Sequence, residues 1–419
     1  MVPQGRCSMS TANTVIALVP SAPAVAPPPS IIAAPYQWLD PSKIPPRPWL
    51  YGNQLLRGSV SMIVAPGGAG KTALATGMAL SLVTGRDFMG SKIWGGPKKV
   101  WLWNLEDSVE ELSRGLQAAA TYWSISADDL NGNLFLNSAL SGDHLKLVSS
   151  RSEGPRENVE LAKDIVTELK SNAIDVMFID PFVSSHDANE NDNKSMDAVV
   201  KLLALIAYEA NCSIVLLHHT NKAFGQVNEN SARGASSVVA AARSVVTINP
   251  LNDAEAKLYD IDEDEMASYI KLHDNKNNRI SACRSSTYMK FESVMIKTSD
   301  GNEESVGVIV PADLEIHEVQ VLTEHQIAHI QLEMKEGFDR HYHTAGKWIG
   351  HAVGKIMKLD VKKKNHKARI KDMIHELESD GYIQIVTGKD NGGKEYQSYV
   401  IGTKAKPFAT IKDDKHLLN

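Results

Sequence analysis

The chain has 419 residues, of which 43% are apolar and 22% are charged, and its formal net charge is −6 at pH 7. This length leaves room for two domains and a linker, and the apolar fraction is sufficient for packed cores. No apolar stretch of the sequence reaches the roughly 18 residues that a membrane-spanning helix needs, which argues against a membrane protein.

The cysteines and the charge distribution indicate the compartment and the kind of partner. Cys7, Cys212 and Cys283 lie far apart without metal-ligand spacing. They favour a reducing, cytoplasmic environment and no disulfide framework. Residues 341–419 carry a net charge of +6, whereas residues 1–340 carry −12. A basic C-terminal part on an acidic body suggests that this part contacts a polyanion.

The first 35 residues differ in composition from the rest. Residues 1–35 are rich in alanine and proline and almost uncharged, so we predict a disordered leader. A signal peptide is the weaker interpretation, because only Arg6 precedes the apolar stretch Val15–Pro20, which is short for that role. Met9 is an alternative start.

Residues 65–72 read Ala-Pro-Gly-Gly-Ala-Gly-Lys-Thr, between an apolar β-rich run and a helix-forming stretch. This is the strand–loop–helix setting of a phosphate-binding loop, in which glycines let successive N–H groups point at one anion. Lys71 can reach the β- and γ-phosphates of ATP, and the Thr72 hydroxyl can ligate Mg²⁺. A chance glycine-rich turn is the alternative. The predicted ATP-binding residues are Pro66, Gly67, Gly68, Ala69, Gly70, Lys71 and Thr72.

From about residue 48, apolar strands alternate with helices. Continuous apolar strands separated by helices are typical of a parallel sheet buried on both faces, which predicts an α/β P-loop domain over residues 36–312. The shorter strands after residue 266 should extend this sheet in antiparallel fashion. The predicted strands are Val60–Ala65, Val100–Leu105, Leu134–Leu136, Val176–Asp180, Ile214–His218, Ser244–Ile248, Ser268–Leu272, Arg279–Cys283, Met289–Ile296 and Val306–Val310, and the predicted helices are 72–84, 108–123, 158–171 and 195–210.

Polar side chains stand at the carboxyl ends of three strands, the edge where ligands gather in open α/β sheets. Glu106 and Asp107 follow one strand, Asp180 closes the next, and His218 and His219 end a third. We assign Asp180 to orienting Mg²⁺ through water, Glu106 to polarising the attacking water and His219 to sensing the γ-phosphate. The alternatives are a solvated turn, helix-entry carboxylates and core histidines, respectively. One metal held by both histidines is disfavoured, because adjacent strand residues point to opposite faces.

Ring ATPases commonly need a cation from the neighbouring subunit for hydrolysis. Arg233 and Arg243 are the candidates. Arg243 begins a β-run after an alanine-rich segment, a poor place for an unpaired charge unless an external group neutralises it. A structural salt bridge explains Arg243 nearly as well. Lys276 and Arg279, at a turn between strands, could reach the same foreign phosphate.

A second, smaller domain is predicted over residues 336–403, after a linker at 313–335 and before a tail at 404–419. Its pattern of two helices (345–357 and about 363–379) and two strands (382–386 and 396–401) is the outline of a winged helix. Contact with origin DNA and contact with a primase or another replication protein both stay open. Its clustered cations are Lys362, Lys363, Lys364, Lys367, Arg369 and Lys371 at the second helix, with Lys389 and Lys394 on the wing.

The motifs at residues 65–72, 105–107, 178–181, 217–220 and 232–235 together resemble those of the RecA-type ATPases of the plasmid RepA-like helicase family, over about residues 45–290. The resemblance implies a RecA-like fold, a hexameric ring with ATP sites between subunits, and translocation on single-stranded DNA. It carries nucleotide and catalytic roles to Lys71, Thr72, Glu106, Asp180 and His219, and the trans-acting role to Arg243. It also implies that the lead-in Pro46–Tyr51 packs beside the adenine.

Two loops are compared as DNA contacts. The loop after Asp180 holds Asp187, Glu190 and Asp192 against only Lys194, which makes it a poor contact for a polyanion. The loop Asn221–Ser231, with Lys222 and Phe224, is the better candidate for lining a channel.

These features predict an ATP-driven hexameric helicase or translocase from a plasmid, phage or integrated element. A recombinase-like ATPase that forms filaments on DNA without unwinding it is the second interpretation. A regulatory DNA-binding protein whose assembly ATP controls is the third.

Overall fold

The computed structural model describes residues 34–142, 144–151, 154–190, 192–220, 236–279, 286–314, 322–336, 341, 346–389, 392–393 and 395–404. The chain divides into two units between Pro46 and Arg47. The described part of the first unit is exposed and contains one 3₁₀ turn, Pro41–Lys43, which the Asp40 side chain caps. The elements below belong to the second unit. Several sequence-based predictions lie outside the described residues. They are those for the leader up to residue 33 with Met9, the loop Asn221–Ser231 with Lys222 and Phe224, the motif 232–235 with Arg233, residues 280–283, Lys394 and the tail from residue 405.

The described residues form ten α-helices and fifteen strands. The helices are α1 (Lys71–Thr84), α2 (Val109–Tyr122), α3 (Ala127–Leu130), α4 (Val159–Ser171), α5 (Asn193–Ala210), α6 (Ser236–Ala241), α7 (Asp253–Leu258), α8 (Glu324–Lys335), α9 (Ile349–Met357) and α10 (Lys364–Ser379). The strands are β1 (Trp49–Tyr51), β2 (Leu55–Leu56), β3 (Ser59–Pro66), β4 (Val100–Asn104), β5 (Leu134–Ser138), β6 (Val148–Arg151), β7 (Gly154–Glu157), β8 (Val176–Asp180), β9 (Ser213–Thr220), β10 (Ser244–Pro250), β11 (Tyr269–Asn277), β12 (Ser286–Lys297), β13 (Glu303–Pro311), β14 (Ile383–Lys389) and β15 (Glu395–Ile401).

One sheet organises the predicted P-loop part of the chain, with strands between Ser59 and Pro311. Within the described residues it has nine strands in the order β13-β12-β11-β10-β3-β9-β8-β4-β5. The six strands from β10 to β5 are parallel, and β11, β12 and β13 extend them in antiparallel pairs. The predicted α/β class, a mainly parallel RecA-like P-loop sheet, is therefore confirmed, as is the antiparallel extension.

Each parallel strand alternates between two hydrophobic cores. In β3, Val60, Met62 and Val64 face the cluster that includes α4, α5 and α6, whereas Ile63 and Ala65 face the cluster that includes α1. Burial on both faces explains why these strands are continuous apolar runs rather than alternating ones. It also fixes which face each residue at the strand end presents.

The antiparallel hairpin of β12 and β13 is longer than the sequence indicated. It curls over α1 and α2, where Val308 and Val310 pack with Leu80 and Ala118. The predicted strand from Arg279 is wrong at its start, because Arg279 lies in the turn after β11.

The C-terminal part has its own core, built by α8, α9, α10, β14 and β15. Residues 324–335, which the sequence suggested were a linker, form α8, and Ile327, Ile330 and Met334 pack into this core. Apolar residues at these helical spacings need a buried surface, and this core supplies it. The order of helices followed by an antiparallel hairpin is observed, while the winged-helix assignment stays a prediction.

Within the described part of the chain, no helix combines the length and the apolar character needed to cross a membrane.

Candidate active site

The loop between β3 and α1 depends on two glycines. Gly68 and Gly70 have φ angles of +72° and +83°, a region that side chains with a Cβ rarely adopt. A Cβ on Gly70 would also lie 2.5 Å from Phe291 of β12 and 2.8 Å from Ile309 of β13. The hairpin thus packs directly against the loop, and only glycine fits between them.

Lys71 is buried at the first turn of α1, with 4% of its surface exposed. Its Nζ donates to the carbonyl oxygens of Pro66 at 2.9 Å and Ala65 at 3.4 Å. Burial lowers the pKa of Lys71, and the nearby carboxylates of Asp180 and Glu106 partly oppose this shift. Because a buried ammonium is costly without an anion, a phosphate bound at this loop would relieve that cost.

Thr72 and Asp180 join α1 to the end of β8. The Thr72 hydroxyl donates to Asp180 Oδ2 at 2.6 Å. Asp180 is 8% exposed, and burial raises its pKa to about 6 although Thr72 and Lys71 favour the carboxylate. Three of the predicted residues therefore lie together: Lys71 and Thr72 in the first turn of α1, and Asp180 at the end of β8.

The residues present fit a magnesium ion that arrives with its nucleotide. Among the described residues, no group of three His, Cys, Asp or Glu side chains could hold a metal. Mg²⁺ in nucleotide sites needs less, since one or two protein oxygens act together with phosphate oxygens and waters. The Thr72 hydroxyl and the Asp180 carboxylate supply such oxygens beside the loop.

Glu106 lies at the rim of the site, in a turn that hydrogen bonds of the Asn104 and Ser138 side chains stabilise. The Asn104 Oδ1 accepts from the backbone N–H of Glu106 at 2.9 Å and of Asp107 at 2.6 Å. Ser138 of β5 donates to the Asp107 carbonyl at 2.6 Å. Ser108, rather than Asp107, caps α2. Glu106 is exposed and close enough to influence the pKa values of Lys71, Asp180 and His219.

Sequence reasoning missed the roles of Asn104 and Ser138. A signal was available, because Asn104 ends the apolar run of β4 just before the two carboxylates. An amide at that position can bond the backbone of the following turn, as asparagine commonly does.

The two histidines of β9 face opposite sides of the sheet, as the sequence predicted. His218 is 5% exposed and packs edge-on against Phe182 on the α5 side; burial lowers its pKa to about 4. His219 is half-buried on the α1 side, where burial and Lys71 lower its pKa while Glu106 opposes them. Only His219 faces the loop residues, and as a neutral imidazole it can donate a hydrogen bond there.

Arg243 lies at the opposite edge of the sheet from the loop. Its backbone N–H donates to the Val60 carbonyl, near the start of β3, and β10 runs parallel to β3 from that point. Seven residues of strand separate Val60 from Gly67, about 20 Å at the usual rise. The Arg243 side chain is exposed, and no carboxylate of the described residues forms an ion pair with it. The intramolecular salt bridge considered above is therefore not observed among these residues.

Two other cations near that edge differ from Arg243. Lys276 is half-buried and its Nζ donates to the Val239 carbonyl at 2.7 Å. Arg279 is exposed in the turn after β11.

The acidic residues after Asp180 have structural partners. Asp187 pairs with Lys146 at 2.8 Å, and Asp192 caps α5. The Glu190 carboxylate lies 3.8 Å from His218 Nδ1. The prediction that this loop is a poor DNA contact stays a prediction.

The suggested role of the lead-in Pro46–Tyr51 at the adenine stays a prediction. Leu50 and Tyr51 are buried in the core on the α1 face, and the Pro48 carbonyl accepts from Arg57 near the start of β3. Space next to the loop exists elsewhere. A cavity of about 310 Å³ beside Thr72 is lined by Thr76, Asp107, Glu111 and Val308, among others.

Residues 26–225 match a protein-family model described as an AAA domain. This stretch includes Lys71, Glu106, Asp180 and His219, whereas Arg243 and the C-terminal part lie beyond it. The match supports a P-loop ATPase of the AAA type and thus nucleotide-dependent ATP hydrolysis. The narrower resemblance to RepA-like helicases stays a prediction.

Lys71→Ala should abolish ATP turnover while far-UV circular dichroism stays native, because the variant loses the cation that meets the phosphates. Lys99→Ala, at the residue immediately before β4 and at the end of that strand far from the loop, is the matched control and should keep its turnover. Steady-state ATPase assays measure both. Unchanged turnover in Lys71→Ala would remove the phosphate-loop assignment.

Asp180→Asn should raise the free energy of unfolding at pH 7.5 without nucleotide, by about 1–3 kcal/mol. The folded-state pKa of Asp180, about 6, exceeds the reference value of 3.8, so ionisation lowers stability progressively from about pH 4 to pH 6, and the full cost is present above pH 6. The gain should become small towards pH 4, where Asp180 of the folded state is protonated and therefore neutral. Urea unfolding at the two pH values measures it.

Asp175→Asn, at the residue immediately before β8, is the contrasting control. Asp175 pairs with Arg57 and accepts from the Lys99 N–H at 2.8 Å, so its replacement should destabilise. If Asp180→Asn were also destabilising at pH 7.5, burial would not be the dominant influence on Asp180.

Proposed function

We propose that the chain is an ATP-hydrolysing motor of the hexameric RecA type that acts on DNA as a helicase or translocase, in replication of a plasmid, phage or mobile element. The AAA-domain match supports the ATPase. The convergence of Lys71, Thr72, Asp180 and His219 at one sheet edge supports the assignment of their roles. The motif resemblance and the basic C-terminal part support action on DNA.

In this proposal each side chain has one task at the triphosphate. Lys71 binds the β- and γ-phosphates, and Thr72 and Asp180 hold Mg²⁺, the latter through water. When bound, Mg²⁺ neutralises charge that develops on the phosphates. Glu106 orients the attacking water, held in place by the turn that Asn104 fixes. His219 donates a hydrogen bond towards the γ-phosphate and responds to its loss.

The position of Arg243 carries the proposal that sites form between subunits. About 20 Å of strand separates it from its own loop, beyond the reach of one side chain. An exposed guanidinium without an ion-pair partner among the described residues is available to a phosphate on another copy. Such an arginine supplied in trans is worth roughly 10³–10⁵ in hydrolysis rate.

A regulatory DNA-binding protein is the second candidate, favoured by the exposed lysines of α10 on an acidic chain. A filament-forming ATPase is a variant of the motor without unwinding. Turnover stimulated by single-stranded DNA favours a motor, whereas tight duplex binding with negligible turnover favours the regulator. A strand-displacement assay separates helicase from filament.

Arg243→Ala should leave ATP binding nearly intact but cut hydrolysis to a small fraction. Mixing it with Glu106→Gln should restore activity, because some interfaces then combine an intact Arg243 with an intact Glu106. Arg156→Ala, an exposed arginine on β7, is the matched control and should retain turnover. Mass photometry with an ATP analogue and single-stranded DNA verifies that mixed rings form, provided that one of the two variants carries a mass tag. Mixed rings without restored hydrolysis would contradict action across an interface.

A further inference from the structure

An acidic segment of the ATPase part contacts the start of α10 in the C-terminal part. The acidic segment consists of Asp260, Asp262 and Glu263, which lie between α7 and β11. Glu263 pairs with Lys364, the first residue of α10. The partners are about 100 residues apart in sequence, so the contact joins separate structural elements.

The acidic segment caps α10 from outside the helix. Lys363, which precedes the helix, provides no side-chain cap. The backbone N–H of Asn365 donates instead to Asp262 Oδ1 at 3.0 Å. A carboxylate there also meets the positive end of the helix dipole, as a phosphate would.

Asp260 forms the buried centre of the contact. Its side chain is 6% exposed and accepts from His366 Nε2, while Arg369 Nη1 lies 3.4 Å from the same oxygen. Its second oxygen, Oδ1, is buried without a hydrogen-bond partner. The backbone N–H of Asp360 donates to His366 Nδ1 at 2.8 Å, which places the imidazole proton on Nε2. A neutral His366 therefore satisfies both contacts.

The same groups are those that commonly form a phosphate-binding site. A free helix N-terminus, an arginine, a lysine and a histidine together bind phosphate oxygens through N–H donors. In helix–turn–helix folds, the N-terminal residues of the second helix approach the DNA. In this structure, carboxylates of the same chain lie in hydrogen-bond or ion-pair contact with these groups.

We infer that the acidic segment takes the place of nucleic-acid phosphates at the start of α10, so that a DNA backbone must displace it to bind there. The inference rests on the proposed action on DNA. Lys362, Lys363 and Lys371 are exposed and supply the first attraction. Exchange of carboxylate for phosphate then separates α10 from the ATPase part, which couples DNA binding to the ATPase part of the chain.

The test compares two full-length double variants that each remove two negative charges. Asp262→Asn with Glu263→Gln weakens the acidic segment without touching the buried Asp260. Glu160→Gln with Asp164→Asn removes two exposed carboxylates of α4 and is the control for net charge. Anisotropy of a labelled duplex, measured without nucleotide at several salt concentrations, reports affinity.

The acidic-segment variant should bind duplex about three- to tenfold more tightly than the control, as expected for two weakened surface contacts. Its log K should fall steeply with log salt, by about 0.9 per neutralised phosphate. In the wild-type chain, added duplex should speed amide hydrogen exchange around residues 260–265. Equal affinities in the two variants, or slower exchange of that stretch on binding, would overturn the inference.

The outcome is separable from that of the proposed function. If single-stranded DNA stimulates turnover but the two variants bind duplex equally, the inference alone fails. If the acidic-segment variant binds duplex more tightly but DNA never stimulates turnover, the motor proposal fails and the inference stands.

Discussion

The hydrogen bond between Thr72 and Asp180 links the two elements on which the site depends. It joins the start of α1 to the end of β8 at 2.6 Å. Because α1 follows β3, and β9 lies between β3 and β8 in the sheet, the bond connects two strands that are not neighbours. Lys71 and Asp180 are therefore opposite charges that are buried together at the edge of the sheet where α1 begins. The N-terminus of α1 adds positive potential there. Neither charge is well placed for stability alone, since burial lowers the pKa of Lys71 and raises that of Asp180. A Mg²⁺-nucleotide would satisfy both.

Other features support this edge from outside. The β12–β13 hairpin presses Phe291 and Ile309 against Gly70 and holds the loop from one side. Asn104 fixes the turn that presents Glu106. Arg243 precedes the start of β10, whereas the acidic segment lies between the carboxyl end of β10 and the start of β11, so both are attached to the same sheet. Through the acidic segment, the sheet is also connected to α10 of the C-terminal part.

The parallel strands and several site residues could be predicted from the sequence. Continuous apolar runs indicate buried parallel strands, and the polar residues that end these runs indicate the edge of the sheet where a ligand binds. Asp180 and His219 were recoverable for that reason. The acidic segment could not be recognised from the sequence, because its contacts with α10 join residues about 100 positions apart. Asn104 was overlooked although its partners, the backbone N–H groups of Glu106 and Asp107, are close in sequence. The packing of α8 into the C-terminal core was missed since a short helix of low mean hydropathy reads like a linker.

A crystal structure of the chain with a non-hydrolysable ATP analogue and Mg²⁺ tests the central claim most directly. The account predicts β- and γ-phosphate oxygens within hydrogen-bond distance of Lys71 Nζ. It also predicts Mg²⁺ bound to Thr72 Oγ1, with the Asp180 carboxylate turned from that hydroxyl to a metal-bound water. Nucleotide bound elsewhere, or in the loop with Asp180 still bonded to Thr72 and no metal between them, would contradict it.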